Sequence, residues 1–218
     1  MGKLFTGFVK TTAYPLELIT FRAKYYYEDK KLQSRRIKGP AIIISNHTSV
    51  WDFAQIMQTF YTRHLRCLAA DLMFNKSKGM GWFLKHLDAI KISRESKNFS
   101  FINQSVDILK KGGVLEIYPE ARIPDPPEPT PLEFKPSFAY IAMLSNAPII
   151  PVYTDGNYFG KGRTHVMIGK KINITDIVDP ELDQSENIKR ITDYTRNKII
   201  EFRDEIERKK EKKKKIQS

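Results

Sequence analysis

The segment Asn46-His47-Thr48-Ser49-Val50-Trp51-Asp52 sets an imidazole and a carboxylate five residues apart. Imidazole titrates near neutrality, so a histidine held by a carboxylate on one ring nitrogen can take a proton from a substrate hydroxyl on the other. The spacing restricts how the two side chains can meet. On a continuous helix, five residues turn through about 140°, which points them apart. The pair forms only if His47 precedes a helix and Asp52 lies in its first turn, and Ser49 as the helix N-cap supplies that arrangement. A structural alternative stays open on spacing alone. Asp52, three residues after Ser49, also suits a first-turn acid favoured by the helix dipole, with His47 an ordinary turn residue. Ser49 as a nucleophile has less support, because nothing around it makes a nucleophile elbow.

The neighbouring elements must hold this turn in place. The run from Pro40 to Ser45 is β-branched, continuous and bounded by Gly39, as a short buried strand would be, and it delivers Asn46 and His47 at its carboxyl end. After Ser49, Phe53, Ile56, Met57 and Phe60 recur at helical spacing. A second unit runs from Leu65 to Ala70, through Gly81 to His86, to Ala89 to Ser93. A third joins a helix over Phe99 to Lys111 to a strand over Val114 to Tyr118 through Gly112 and Gly113. A fourth pairs a helix over Phe138 to Ser145 with a strand over Pro148 to Tyr153. Helix and strand periods alternate, which predicts an α/β fold: a single domain with a mostly parallel central sheet flanked by helices. In such sheets ligands sit beyond the carboxyl ends of the strands, where His47, Arg94 and Glu120 all fall. Five prolines between Ile123 and Pro131 predict a stiff extended loop. Residues 187–209 read as a terminal amphipathic helix with Ile188, Ile191, Tyr194, Ile199 and Phe202 inward.

The segment Asn46 to Asp52 fits the Asn-His-x-Ser-x-x-Asp motif, and the chain resembles the glycerolipid acyltransferase family, which includes the lysophosphatidate acyltransferases. Other blocks follow in the family's order. Gly81-Trp82-Phe83-Leu84 through Ser93-Arg94 resembles the block ending in a phosphate-binding arginine. Tyr118-Pro119-Glu120-Ala121-Arg122 resembles the Phe-Pro-Glu-Gly-Thr-Arg block, and the run from Ala147 to Val152 resembles the closing block. The resemblance implies acyl transfer from a thioester, acyl-CoA or acyl carrier protein, to the free hydroxyl of a lysophospholipid, with 1-acyl-glycerol-3-phosphate the leading acceptor. It implies His47 as general base, Asp52 as the group that orients and stabilises the imidazolium, and no covalent enzyme intermediate. Asn46, Ser49, Arg94, Glu120 and Arg122 become candidate substrate-binding residues, the two arginines toward phosphate, and no cofactor is implied beyond the acyl donor. The chain also departs from the pattern. Ala121 stands in the glycine position, Arg122 falls at either the threonine or the arginine place, and Ala69-Ala70-Asp71-Leu72 replaces a Lys-x-Glu-Leu run.

The composition suits this reading. The chain has 218 residues, enough for one well-cored domain, and one cysteine, Cys67, which excludes an internal disulfide and leaves no metal-ligand spacing with the four histidines. Its net charge of +12 favours an anionic partner. Seven basic residues lie between Glu207 and Ser218, a solvated helix end or a polybasic contact with anionic lipid. Residues 4–27 mix aromatic and aliphatic side chains with lysine and arginine, as an interfacial helix or an ordinary amphipathic helix packed on its own domain would, with Pro15 as its expected break or kink. No stretch reaches the about 18 apolar residues that a spanning helix needs. The expected organisation is therefore an N-terminal amphipathic membrane-interface segment (1–38), an acyltransferase domain (39–206) and a basic tail (207–218), peripheral on the cytoplasmic side of a membrane. Two other readings remain: an acyltransferase for another hydroxyl lipid, such as an aminolipid or glycolipid precursor, and a non-catalytic basic membrane-binding protein. No RNA-recognition or helix-turn-helix pattern is present, so no nucleic-acid partner is expected.

Overall fold

The computed structural model describes residues 2–93, 99–160 and 162–217. The chain runs through α1 (Gly2–Thr20), β1 (Lys24–Tyr27), β2 (Ala41–Ser45), α2 (Asp52–Thr59), β3 (Leu65–Ala70), α3 (Asp71–Asn75) and α4 (Lys78–His86). It continues with β4 (Ile90–Ile92), α5 (Ser100–Lys110), β5 (Val114–Ile117), α6 (Ser137–Ser145), β6 (Ile149–Thr154), β7 (His165–Ile168) and α7 (Gln184–Gln217). The strands form one sheet in the order β1-β7-β6-β2-β5-β3-β4. The five strands from β6 to β4 are parallel, and β7 runs antiparallel to β6 with β1 parallel to β7.

Strand alternation sorts the core into two layers. Ile42 and Ile44 of β2 share one face with Leu115, Ile117 and Ile149, closed by α5, α6 and α7. Ala41 and Ile43 share the other with Val114, Ile150 and Val152, closed by α2. Both faces of β2 are covered, so all three of its isoleucines are fully buried, each burial contributing about 2–3 kcal/mol. Gly112 ends α5 in the left-handed region at φ +78°, and Gly113 then donates back to the Ile108 carbonyl at 2.9 Å, which turns the chain directly into β5.

Several expectations are corrected. The helix after the His47 turn begins at Asp52 with Trp51 at its N-cap, not at Ser49. The Ser49 hydroxyl instead accepts from the Trp51 amide at 3.2 Å, and the Trp51 side chain gives the helix no capping hydrogen bond. Pro15 lies within α1 and does not end it. Thr11, whose carbonyl loses its helical donor to the proline, is exposed, and water can replace that donor.

The boundary at 38/39 does not separate structural units, since β1 lies in the sheet beside β7. Neither strand was expected. Tyr25 to Tyr27 carry strand propensity that the interfacial reading had absorbed, and pairing to a distant segment realises it. At the other end α7 is a single helix of 34 residues, so the basic tail continues it. On α7, Tyr194 is exposed, while Thr195 and Ile206 join Ile191, Ile199 and Phe202 inside.

Candidate active site

The carboxyl end of β2 lies between those of β5 and β6. The helix after β2 leaves on one face of the sheet and the helix after β5 on the other, which opens a crevice at this point. Asn46, the first residue beyond β2, is fully buried and extends the sheet with its side chain. Its Nδ2 donates to the Thr154 carbonyl and its Oδ1 accepts from the Thr154 amide, both at 2.9 Å. Asn46 therefore clamps the end of β2 to the end of β6, which sets where the next residue emerges.

That residue is His47. Its Nδ1 lies 2.7 Å from Asp52 Oδ2, and its amide donates to Glu120 Oε1 at 2.7 Å. The ring stacks on Tyr118, with centroids 4.5 Å apart. Its Nε2 has no protein partner among the described residues, and the side chain is 22% exposed. The imidazole is thus oriented from one side and open on the other.

Asp52 is fully buried, and an isolated carboxylate there would be costly. It is surrounded by donors. Oδ2 accepts from Thr48 N at 2.6 Å and Ser49 N at 2.8 Å as well as from the imidazole. Oδ1 accepts from the Thr48 hydroxyl at 2.9 Å and the Tyr158 hydroxyl at 2.7 Å. The first turn of α2 adds the positive end of a helix dipole. With Nδ1–H donating to Asp52, the free Nε2 carries the lone pair that a general base requires.

Glu120 is also buried, and burial, the largest influence on it, raises its pKa against the opposing pull of two backbone amides. Those amides belong to His47 and to Leu132, at 2.7 Å each, so the carboxylate ties the proline-rich loop to the dyad. Among the described residues Glu120 accepts from backbone amides and not from an arginine. Arg122 lies in that loop and forms a two-pronged pair with Glu128, at 2.5 Å to each oxygen. The Arg122 guanidinium beside it holds the Glu128 carboxyl down to about 2. Arg94 lies outside the described residues. Ser49 is in the dyad turn, with its amide on Asp52 and its hydroxyl on the Trp51 amide.

Beneath the dyad lies Glu116 of β5, 1% exposed, which accepts from the Tyr118 hydroxyl. Burial pushes its pKa up to about 8. The Lys10 amine of α1 is drawn inward as well. It donates to the carbonyls of Phe60, Tyr61 and Arg63 at the end of α2, and burial lowers its pKa to about 8.

The family model named Acyltransferase matches residues 24–155, the stretch from β1 to the residue after β6, and so takes in the dyad, Glu120 and Asn46. The chain belongs to the Acyltransferase family. A 1-acyl-sn-glycerol-3-phosphate acyltransferase of Bacillus subtilis (strain 168) is 26% identical over 137 residues, 61% of this chain and 66% of that protein. The human 1-acyl-sn-glycerol-3-phosphate acyltransferase beta is 26% identical over 137 residues, 59% of this chain and 48% of that one. The matched stretch thus falls short of two-thirds of either relative's length. The crystal structure of the 1-acyl-sn-glycerophosphate acyltransferase PlsC from Thermotoga maritima shares the fold, with a TM-score of 0.67 at 16% identity over 93% of this chain and 78% of that one. The dyad turn is therefore part of an acyltransferase domain.

Sequence reasoning missed three contributors: Thr48, whose amide and hydroxyl both serve Asp52, Thr154 and Tyr158. The rule that singled out His47 and Glu120, polar residues at or just beyond a strand's carboxyl end, also marks Thr154 at the end of β6 and Tyr158 beyond it.

Proposed function

We propose that this protein transfers a fatty acyl group from an acyl thioester, acyl-CoA or acyl carrier protein, to the free hydroxyl of a lysophospholipid, with 1-acyl-glycerol-3-phosphate the favoured acceptor and phosphatidic acid the product. The observation that carries the reading is the half-open dyad: His47 Nδ1 is held by a buried, five-donor carboxylate, while Nε2 is open. Nε2 takes the proton of the acceptor hydroxyl as its oxygen attacks the thioester carbonyl carbon. The tetrahedral intermediate expels the thiolate, the C–S bond breaks, and the imidazolium returns the proton to sulfur. Asp52 stabilises the transient imidazolium and stays ionised. No bond to the enzyme forms.

In this reading the reaction takes place at a membrane surface, peripherally and on its cytoplasmic side. Support comes from the polarity of α1. Its buried residues are Gly2, Thr6 and Lys10, while Leu4, Phe8, Leu16 and Ile19 lie outward, with Leu4 84% exposed. A helix that turns its apolar stripe away from its own domain suits a lipid interface. No helix among the described residues is long and apolar enough to cross a membrane.

A second acceptor class has one observation in its favour. Glu128 already occupies the Arg122 fork that a phosphate would use, which suits a hydroxyl lipid without a phosphomonoester. The deciding experiment is thioester-dependent acylation of a panel of lyso-lipids in mixed micelles, by the natural protein and by His47→Ala. Transfer to lysophosphatidate that is lost in His47→Ala is expected. No transfer to any acceptor by a folded protein would refute the enzyme reading, and transfer only to other lyso-lipids would select the second class.

A further inference from the structure

Tyr158 lies beyond the closing block of the family resemblance, 106 residues from Asp52, yet its hydroxyl donates to Asp52 Oδ1 at 2.7 Å. The direction of this bond is fixed, because an ionised carboxylate can only accept. Order then passes outward. The Tyr158 oxygen lies 3.2 Å from the Thr154 hydroxyl, which must donate to it, since the phenolic proton is already committed to Asp52. The Gly156 amide in turn donates to Thr154 Oγ1 at 3.4 Å. A one-way chain of donors therefore runs from a backbone amide through Thr154 and Tyr158 and ends at Asp52, which accepts from His47 on its other oxygen.

The surroundings hold this chain in place. The Tyr158 ring meets the buried Phe21, with centroids 5.0 Å apart. Asp155, at the base of the turn, accepts from His165 Nδ1 at 2.9 Å and from the His165 amide at 3.0 Å, and pairs with Lys210 of α7 at 2.8 Å. Gly156, at φ +65°, passes so close to Thr48 that a Cβ there would stand 2.3 Å from the Thr48 hydroxyl. The turn after β6 is thus pressed against the turn that carries the dyad. Burial first, then the charge of Asp52, pushes the Tyr158 pKa well above its ordinary value, so the phenol remains a donor at any working pH.

We propose that Tyr158 is a positioning residue for acyl transfer: through its bond to Asp52 Oδ1 it locks the carboxylate in the rotamer that holds His47 Nδ1. This rests on the acyl-transfer reading above. Without the phenol, Oδ1 keeps only the Thr48 hydroxyl, and the carboxylate gains freedom to turn about its last torsion. The hydroxyl of Tyr158 is engaged by protein groups on both sides, so its removal acts on turnover and not on substrate affinity.

The test compares Tyr158→Phe with the natural protein in steady-state acylation and in NMR of the low-field imidazole N–H in 15N-histidine-labelled enzyme. We expect kcat to fall about 10-fold while the KM for donor and acceptor stays within about 2-fold. The His47 Nδ1–H resonance should broaden and move upfield, because a carboxylate free to turn holds the imidazole proton less firmly. Thr154→Val, which weakens the phenol as a donor without removing it, should move the resonance the same way by less, and it serves if Tyr158→Phe does not fold. A kcat that stays within about 2-fold overturns the proposal. So does a loss of activity shared between kcat and KM with an unmoved resonance. If the natural protein transfers no acyl group, the acyl-transfer reading fails by itself, and the resonance comparison still decides whether Tyr158 acts on His47 through Asp52.

Discussion

Replacing Asp52 by asparagine separates the carboxylate's charge from its geometry, and the site dictates the outcome. Oδ2 receives two backbone amides, Thr48 N and Ser49 N, which can only donate, whereas Oδ1 receives two hydroxyls, which can rotate to accept. The amide of Asp52→Asn must therefore put its oxygen at the Oδ2 position and its NH2 toward Thr48 and Tyr158. His47 Nδ1–H still finds an oxygen, so the ring keeps its tautomer, and only the negative charge beside the imidazolium is lost. For unit charges about 4 Å apart at an effective dielectric of about 20, that charge is worth about 4 kcal/mol, and partial exposure of the ring lowers it to about 3. The expected fall in kcat is about 10²- to 10³-fold. Asp52→Ala differs in kind. It strands the Thr48 and Ser49 amides, at about 1–3 kcal/mol each, so it should lower the Tm clearly where Asp52→Asn barely changes it. The assay is thiol release at saturating donor and acceptor, with thermal unfolding of the three proteins in parallel. A kcat for Asp52→Asn within about 3-fold of the natural enzyme, or a Tm as low as that of Asp52→Ala, would refute the reasoning.

Two further predictions follow from buried and paired carboxylates. Glu116, with a pKa near 8 in the folded chain against an ordinary 4.5, keeps a proton that the unfolded chain has released. Stability should therefore fall as pH rises between about 5 and 8, by up to about 1.4 kcal/mol per pH unit. Glu116→Gln should remove that slope, so parallel stability curves from denaturant unfolding at several pH values would contradict it. Glu128→Gln weakens the exposed grip on Arg122 and should lower the KM for a phosphate-bearing acceptor about 2- to 5-fold, whereas an unchanged KM would mean that Arg122 does not contact the acceptor.

The family and the fold class were legible in the sequence because both rest on local signals. Runs rich in β-branched residues at 41–45 and 149–154 mark strands covered on both faces, and the four ordered blocks carry the resemblance. The two strands on the β6 side of the sheet, β1 and β7, were not legible. Lys24–Tyr27 and His165–Ile168 become strands only through pairing, and in isolation neither run differs from a loop or an interfacial segment. The position of Ser49 was misread for a similar reason. A serine before an apolar helix is a common cap, but the Asp52 carboxylate draws the amides of Thr48 and Ser49 to itself and the helix starts two residues later, after Trp51.

His47 and Asp52 are five residues apart, and within one strand, one turn and the start of one helix the covalent chain itself brings their side chains together. That much the sequence determined. The setting of the dyad depends on contacts that no local pattern encodes: Glu120 reaches the His47 amide across 73 residues, and Tyr158 reaches Asp52 across 106. Both follow from the strand order that lays β5 and β6 on either side of β2. The tertiary structure also decided that α1 turns Thr6 and Lys10 inward and its apolar stripe outward, since periodicity gives a helix two faces but not the one that meets the domain.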